Sequence, residues 1–345
     1  MKFKRKYYEL IVKVDNDLEK IKHAVSCGAT AILLDNGIDN INEIDEFCDD
    51  NDVLAVVFED FLKLDHFEDV MFLDSSLDKS FILDEANKTD KRVVLMYQGD
   101  SSDIKSYRNL MLDGFLIDYS DNLEEYANSI QSVIFHPEKY DLFVVDFDGT
   151  IVDTMPMWRH ICADFIKSEN ILIEEDVNQL VKSLTNSQIA ELLQRKYLTH
   201  LTLDEVMNKL VEFIRVQYRK QKIKPGAENL LKELRKHGKV ILYSATESSL
   251  LLDLLNIVGI KDLFDGVYSG SDLGLTKADG SGYIEVIKMV DSNSKPLILE
   301  DAPHAILGAS MQKLDILAIS DFSNKDSFDL VAKHATYFMN LNKEI

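Results

Sequence analysis

The chain has 345 residues, 46% of them hydrophobic and 28% charged, which is the composition of a globular protein long enough for two or three compact units. Its formal charge is −22, and residues 1–140 contain 15 Lys and Arg against 30 Asp and Glu. This acidic excess argues against a nucleic-acid-binding or anionic-membrane-binding surface in that part of the chain.

The N-terminus and the cysteines indicate a cytoplasmic protein without a membrane partner. The basic start MKFKRKYY precedes an apolar run that Glu9, Lys13 and Asp15 interrupt, so the run does not form the apolar core of a secretion signal. No apolar stretch has the length of a membrane span. The three cysteines are odd in number and lack metal-ligand spacing, which predicts reduced, buried thiols.

Short apolar runs alternate with stretches of helical spacing from residue 7 to residue 132. The runs cover residues 10–14, 30–34, 53–58, 70–73, 93–97 and 115–117. Repeated βα units predict a mostly parallel sheet, either doubly wound or curled into a partial barrel, and the periodicity does not choose between them. We expect a separate α/β domain over residues 1–138, and no motif in it indicates an activity.

Acidic residues follow several of these runs. They are Asp35, Glu59, Asp60, Asp74 and Asp118. Acids at strand ends bind metals in some proteins, but they cap the following helix more often, and capping is our interpretation here.

The stretch YDLFVVDFDGTIVDT, residues 140–154, carries the main functional signal. Its apolar run predicts a strand buried on both faces, and Asp146 and Asp148 follow at once. Ligands of open α/β sheets bind at the carboxyl ends of the strands. Gly149 lets the turn bring backbone amides close to a phosphate-sized anion.

Together with Thr150 and Asp153, these residues match the hhhhDxDGT signature followed by a further Asp. The sequence from about residue 140 to 345 resembles the haloacid dehalogenase-like hydrolase superfamily. This resemblance implies a Rossmann-like parallel sheet as the hydrolase core, with Asp146 as the nucleophile and Asp148 as the general acid and base.

Residues 157–221 have helical spacing only, which predicts a helical bundle between two strands of the core. The bundle resembles the superfamily's helical cap. We therefore assign residues 156–222 to a cap, and residues 139–155 and 223–345 to the core. Trp158 lies where the chain passes from core to cap; it either packs inside the cap or faces the substrate, and both interpretations stay open.

Two later strand ends add polar groups. The run 240–243 ends in Ser244 and Ala245 before a helix, where a hydroxyl and free amides bind phosphate oxygens. Ser244 matches the superfamily's second motif, and Lys277 stands where the third-motif lysine is expected. The family often has a proline soon after this lysine, whereas this chain has ADGSG from Ala278.

The run 296–299 ends in Glu300 and Asp301, which resemble the fourth motif of the β-phosphoglucomutase-like and phosphoglycolate phosphatase-like branch. Carboxylates, water and a substrate phosphate are the ligands that Mg²⁺ prefers. The resemblance implies a Mg²⁺ site formed by Asp146, Glu300, Asp301 and the backbone carbonyl of Asp148.

We therefore expect a Mg²⁺-dependent phosphatase that hydrolyses a small phosphorylated metabolite through an aspartyl phosphate. One alternative is a sugar-phosphate mutase of the β-phosphoglucomutase type, although those mutases have a His where Trp158 stands here. A different class of function is a binding or regulatory protein whose N-terminal domain is the working part. The sequence indicates neither the substrate nor the oligomeric state.

Overall fold

The structure is a computed structural model that describes residues 9–35, 41–57, 70–89, 91–107, 110, 112–172, 177–178, 186–319, 327–339 and 341. The described residues form two compact units. One contains those among 1–140, 314–320 and 328–345, and the other contains those among 141–313 and 321–327.

The N-terminal part of the first unit is a parallel sheet with helices. Its strands are β1 (Leu10–Val14), β2 (Ala31–Leu34), β3 (Leu54–Val57), β4 (Val70–Asp74), β5 (Arg92–Met96) and β6 (Gly114–Asp118). Its helices are α1 (Leu18–Ser26), α2 (Ile41–Asp50), α3 (Lys79–Lys88) and α4 (Leu123–Gln131), and a 3₁₀ segment covers Ser101–Tyr107. The strand order is β3-β2-β1-β6-β5-β4, and every described pairing is parallel.

The strand order and the core identify this sheet as a partial barrel, one of the two predicted alternatives. From β1 to β3 the chain moves across the sheet in one direction, and from β4 to β6 it moves in that same direction. Right-handed crossovers therefore place the connecting helices on one face of the sheet. The opposite face packs a core of strand residues alone, including Ile11, Leu33 and Val94. Val56 of β3 and Val70 of β4 belong to the same core although their strands are the two edges of the sheet, as expected for the interior of a partial barrel.

The capping interpretation of the strand-end acids was wrong for the described ones. Asp17 and Asp78 cap α1 and α3 instead, accepting from the backbone amides of Glu19 and Ser80. A loop separates β1 from α1 and β4 from α3, and the last residue of each loop is the one that caps the helix. Of the predicted caps, Asp35 lies 3.9 Å from Lys13 Nζ, Asp74 accepts from the Ser76 amide, and Glu59 and Asp60 lie outside the described residues.

The second sheet contains β7 (Leu142–Val145), β8 (Lys239–Ser244), β9 (Gly266–Ser269), β10 (Pro296–Glu300), β11 (Asp315–Ile319) and β12 (Tyr337–Met339). Its order is β12-β11-β10-β7-β8-β9. Strand β7 lies between β10 and β8, and Val145 is in register with Leu299 on one side and Leu242 on the other. The residues that follow these three strands therefore emerge side by side.

The remaining helices are α5 (Met155–Ser168), α6 (Asn186–Lys196), α7 (Leu203–Tyr218), α8 (Ala227–Leu234), α9 (Ser248–Val258), α10 (Gly270–Leu273), α11 (Ser281–Val290), α12 (Pro303–Met311) and α13 (Phe328–His334). Helices α5 to α7 lie between β7 and β8 in the chain. Phe165 of α5 packs against Phe213 of α7 with ring centroids 5.6 Å apart. Part of the predicted helical bundle, residues 173–176 and 179–185, lies outside the described residues.

No helix in the described part of the chain is both long and apolar enough to span a bilayer. The three cysteines are free thiols; Cys48 and Cys162 are buried, whereas Cys27 is half-buried.

Candidate active site

Asp146 and Lys277 form a buried ion pair at the end of the central strand. Asp146 follows β7 directly, and its amide donates to the Leu299 carbonyl of β10. The Lys277 ammonium donates to the Asp146 carboxylate, and the two residues are 8% and 6% exposed, respectively. The rings of Tyr243 and Tyr283 lie 5.3 and 5.7 Å from Lys277 Nζ, so aromatic faces surround the ammonium.

The carboxylate of Glu300 accepts four hydrogen bonds from the protein. Lys277 Nζ at 2.7 Å and the Tyr283 hydroxyl at 2.9 Å donate to Oε1. The backbone amides of Asp301 and Ala302, both at 2.9 Å, donate to Oε2. A carboxylate has about four acceptor positions. Glu300 therefore orients Lys277 and the turn after β10, and its oxygens are already engaged.

Asp301 lies against the catalytic turn, and Gly149 makes this approach possible. Gly149 has a φ of +85°, and a Cβ at this position would come within 2.4 Å of Asp301 Oδ2. Thr150 Oγ1 donates to Asp301 Oδ1 at 2.9 Å, and Lys224 Nζ donates to the Gly149 carbonyl. A side chain at residue 149 would displace the Asp301 carboxylate.

Three buried carboxylates at this edge could hold a metal ion. Oxygen atoms of Asp146, Glu300 and Asp301 lie within 4.8 Å of one another. Lys277 is the one buried ammonium among the described residues, so with all three carboxylates ionised the buried cluster would have an excess of two negative charges. A divalent cation with oxygen ligands fits both the charge and the donor set, and Asp146 and Asp301 are the residues whose oxygens are better placed to bind it than those of Glu300.

The crowding of carboxylates at this site raises the pKa values of two of them. Burial raises the pKa of Asp146 to about 7, and the neighbouring carboxylate of Glu300 adds to the rise while Lys277 opposes it. Burial and the charges of Glu300 and Asp146 also hold the pKa of Asp301 well above its usual range, against the lowering effect of Lys224. A bound cation would take the place of these protons.

Asp148 does not belong to this cluster and is held by four donors of its own. Tyr218 OH at 2.9 Å and Trp158 Nε1 at 3.3 Å donate to Oδ1. Thr246 Oγ1 at 2.8 Å and Ser244 Oγ at 3.3 Å donate to Oδ2. Burial and the Asp148 charge raise the pKa of Tyr218 far above its ordinary value, so this hydroxyl stays protonated and donates.

The structure thus brings most of the predicted residues to one sheet edge. Ser244 contacts Asp148, and Ala245 is exposed immediately beyond the end of β8. The Gly149 amide donates to the Val152 carbonyl at 2.9 Å, so a phosphate contact through that amide stays a prediction. The Trp158 indole contacts both the Asp148 carboxylate and the Tyr218 ring, with ring centroids 5.9 Å apart.

Several site residues were missed by sequence reasoning. They are Tyr218, Lys224, Tyr243, Thr246 and Tyr283, and Thr150 was recognised only as part of the signature and not as a partner of Asp301. Thr246 could have been found, because it belongs to the same strand end as Ser244. Tyr218 has the spacing of a buried helix position four residues after Ile214, and nothing in that pattern separates a core tyrosine from one that contacts Asp148.

Comparisons with known proteins agree with this geometry. A model of the haloacid dehalogenase-like hydrolase family matches residues 140–310, and no curated protein matches the chain. A Thermotoga maritima protein assigned as a β-phosphoglucomutase aligns with 59% of this chain and 95% of its own, at 19% identity and a TM-score of 0.51. A family IA hydrolase from Entamoeba histolytica aligns with 58% of this chain and 92% of its own, at 16% identity and a TM-score of 0.47.

At such identities the likeness to the Thermotoga maritima protein shows the fold alone. The family model is more specific, because its range includes the ends of β7, β8 and β10 together with Lys277. These are the positions at which the buried carboxylates, the ammonium and the Asp148 hydrogen bonds meet. Residues 140–310 therefore form a haloacid dehalogenase-like hydrolase domain.

Proposed function

We propose that this domain is a Mg²⁺-dependent phosphatase acting on a small phosphorylated metabolite. The observation that carries the proposal is the pair of carboxylates after β7, which face different partners. Asp146 meets Lys277 and the acidic cluster, whereas Asp148 meets four neutral donors. Two carboxylates in such different surroundings suit two different roles in one reaction.

In the first step an Asp146 oxygen attacks the phosphorus atom. A bond forms between that oxygen and phosphorus, the bond from phosphorus to the leaving oxygen breaks, and Asp148 gives its proton to the leaving oxygen. The Lys277 ammonium and the Ser244 hydroxyl bind the phosphoryl oxygens and offset their negative charge.

In the second step water attacks the phosphorus of the aspartyl phosphate. Asp148, now ionised, accepts a proton from this water, and the bond from phosphorus to Asp146 breaks to release inorganic phosphate. Lys277 stabilises the Asp146 carboxylate as it departs. A Mg²⁺ ion bound by Asp146 and Asp301, when present, supplies charge stabilisation for the phosphoryl oxygens.

Replacing Asp146 tests this assignment. Asp146→Asn should abolish Mg²⁺-dependent hydrolysis of p-nitrophenyl phosphate, because an amide does not form the acyl phosphate. Asp262→Asn, which changes an exposed acid of the same unit, is the matched control and should keep wild-type activity. Near-normal turnover by the Asp146 variant with a native melting profile would refute the proposal.

A sugar-phosphate mutase is the second candidate, because the protein from Thermotoga maritima with the similar fold is assigned as a β-phosphoglucomutase. The chemistry at Trp158 favours the phosphatase. Its indole nitrogen only donates a hydrogen bond, so it does not take a proton from a sugar hydroxyl as the histidine of the mutases could. Incubation with β-glucose 1-phosphate and a bisphosphate primer separates the two: glucose 6-phosphate accumulating faster than inorganic phosphate would indicate a mutase.

A further inference from the structure

The donors around Asp148 come from two different parts of the second unit. Ser244 and Thr246 belong to the end of β8 and the residues just after it, and both contact Oδ2. Trp158 and Tyr218 belong to α5 and α7, and both contact Oδ1. One oxygen of the carboxylate is thus held by residues at the end of β8. The other is held by the helical insertion, by which we mean α5 to α7 between β7 and β8.

Trp158 and Tyr218 stand at the two ends of that insertion. Trp158 lies in the first turn of α5, just after the chain leaves the catalytic turn, and Tyr218 is the last residue of α7, after which α8 leads to β8. Tyr218 is fully buried and its hydroxyl is 2.9 Å from Asp148, whereas Trp158 is half-buried with its nitrogen at 3.3 Å. Tyr218 is therefore the stronger of the two contacts.

We propose that Tyr218 is a positioning residue for Asp148, holding the carboxyl group in the orientation from which it protonates the leaving oxygen. The inference rests on the phosphatase activity proposed above and adds a residue of the helical insertion to it. Tyr218 acts through the side chain of Asp148, to whose Oδ1 its hydroxyl donates.

The need for Tyr218 follows from what happens when a substrate binds. Ser244 is the donor assigned to the phosphoryl oxygens, so its bond to Oδ2 is exchanged for one to the substrate. Thr246 then holds Oδ2, and Tyr218 with the longer contact from Trp158 holds Oδ1. Without the Tyr218 hydroxyl, only the 3.3 Å contact would restrain Oδ1, and the carboxyl group would rotate more freely about its Cβ–Cγ bond.

Protonation of the leaving group matters in proportion to its basicity. An alkoxide leaves poorly without a proton, whereas p-nitrophenolate is a stable anion and leaves with little help. A defect in the placement of Asp148 should therefore be large with an alkyl phosphate and small with p-nitrophenyl phosphate. Loss of fold or of metal would lower both activities together.

The test compares kcat/KM for glycerol 3-phosphate and p-nitrophenyl phosphate in wild type and Tyr218→Phe. We expect about a tenfold or larger loss with the alkyl phosphate and less than about a threefold loss with the aryl phosphate. Tyr268→Phe, which removes another hydroxyl of the same unit, should change neither. Thr246→Val removes the short donor to Oδ2 and should show the same selectivity, which keeps the test decisive if Tyr218→Phe does not fold.

A double-mutant cycle with Asp148→Asn supplies the second readout. If Tyr218 acts through Asp148, adding Tyr218→Phe to Asp148→Asn should cause no further loss. The inference would be overturned if Tyr218→Phe lowered kcat/KM equally for both substrates, or if it lowered kcat/KM as much in Asp148→Asn as in the wild type. Either result would leave the phosphatase proposal intact. A wild-type protein that hydrolyses neither substrate would refute the phosphatase proposal itself, and the role of Tyr218 with it.

Discussion

The Glu300 carboxylate lies 2.7 Å from the Lys277 ammonium, and both side chains are buried. Through this contact the last residue of β10 fixes the cation that faces Asp146. The remaining acceptor positions of Glu300 are filled by Tyr283 and two backbone amides. Glu300 thus lies close enough to Asp146 and Asp301 to be part of the acidic cluster. Its hydrogen bonds, however, are used to orient Lys277.

This relationship predicts different effects for the two neighbouring acids. Asp301→Asn should weaken Mg²⁺ binding by about tenfold or more, because Asp301 is a candidate ligand. Glu300→Gln should weaken it less but should lower kcat, because Lys277 loses its charged partner. Calorimetric titration with Mg²⁺ and steady-state kinetics on both variants test this. A weaker Mg²⁺ affinity in the Glu300 variant than in the Asp301 variant would contradict the assignment.

The position of Gly149 predicts that a single methyl group disrupts the metal site. Gly149→Ala adds a Cβ within 2.4 Å of Asp301 Oδ2 and also strains a residue with φ +85°. Gly259→Ala is the matched control, since Gly259 has φ +76° with nothing within 4 Å of the added Cβ. Both variants should lose about 1 to 2 kcal/mol of stability from backbone strain.

Only the Gly149 variant should lose Mg²⁺ affinity, measured by titration on the two purified proteins. Equal Mg²⁺ affinities would show that Asp301 does not depend on the close approach of the turn.

The raised pKa of Asp146 predicts how stability depends on pH. Its pKa is about 7 in the folded metal-free protein and near 3.8 as a model value, so between these values the folded state binds more protons than the unfolded state. The contribution of Asp146 to the free energy of unfolding therefore falls as pH rises from about 4 to 7.

Mg²⁺ should reverse this trend by replacing the proton. We expect Mg²⁺ to raise the melting temperature more at pH 8 than at pH 5.5, measured against a chelator-treated sample at each pH. In Asp146→Asn both the pH trend and the dependence of the Mg²⁺ effect on pH should be smaller. An equal Mg²⁺ effect at both pH values in the wild type would argue against a protonated acidic cluster.

The contact between Trp158 and Asp148 predicts a fluorescence signal, because Trp158 is the single tryptophan of the chain. Mg²⁺ with beryllium fluoride, a phosphoryl mimic, should change its emission. Trp158→Ala should raise KM or lower kcat while changing the melting temperature little, and it should remove the signal. Unchanged emission together with unfolding of the variant would assign Trp158 to the packing of the helical insertion alone.

The sequence predicted those parts of the site that follow apolar runs. Asp146, Ser244 and Asp301 each come at or just after the end of a buried strand, so order along the chain is enough to bring them to one sheet edge. Tyr218 and Tyr283 lie on helices, and their contacts depend on how each helix packs. The periodicity of residues 7–132 likewise predicted the strands but did not choose between a doubly wound sheet and a partial barrel, because that choice depends on the order of the strands in the sheet.

Trapping the aspartyl phosphate decides whether Asp146 carries the phosphoryl group during turnover. The protein is mixed with p-nitrophenyl phosphate and Mg²⁺, quenched in acid and digested for mass spectrometry. We expect one added phosphoryl group on the peptide that contains Asp146, formed as p-nitrophenol is released and absent in Asp146→Asn. Sustained release of p-nitrophenol with no phosphoryl group on Asp146 at any quench time, or with the label on another residue, would contradict it.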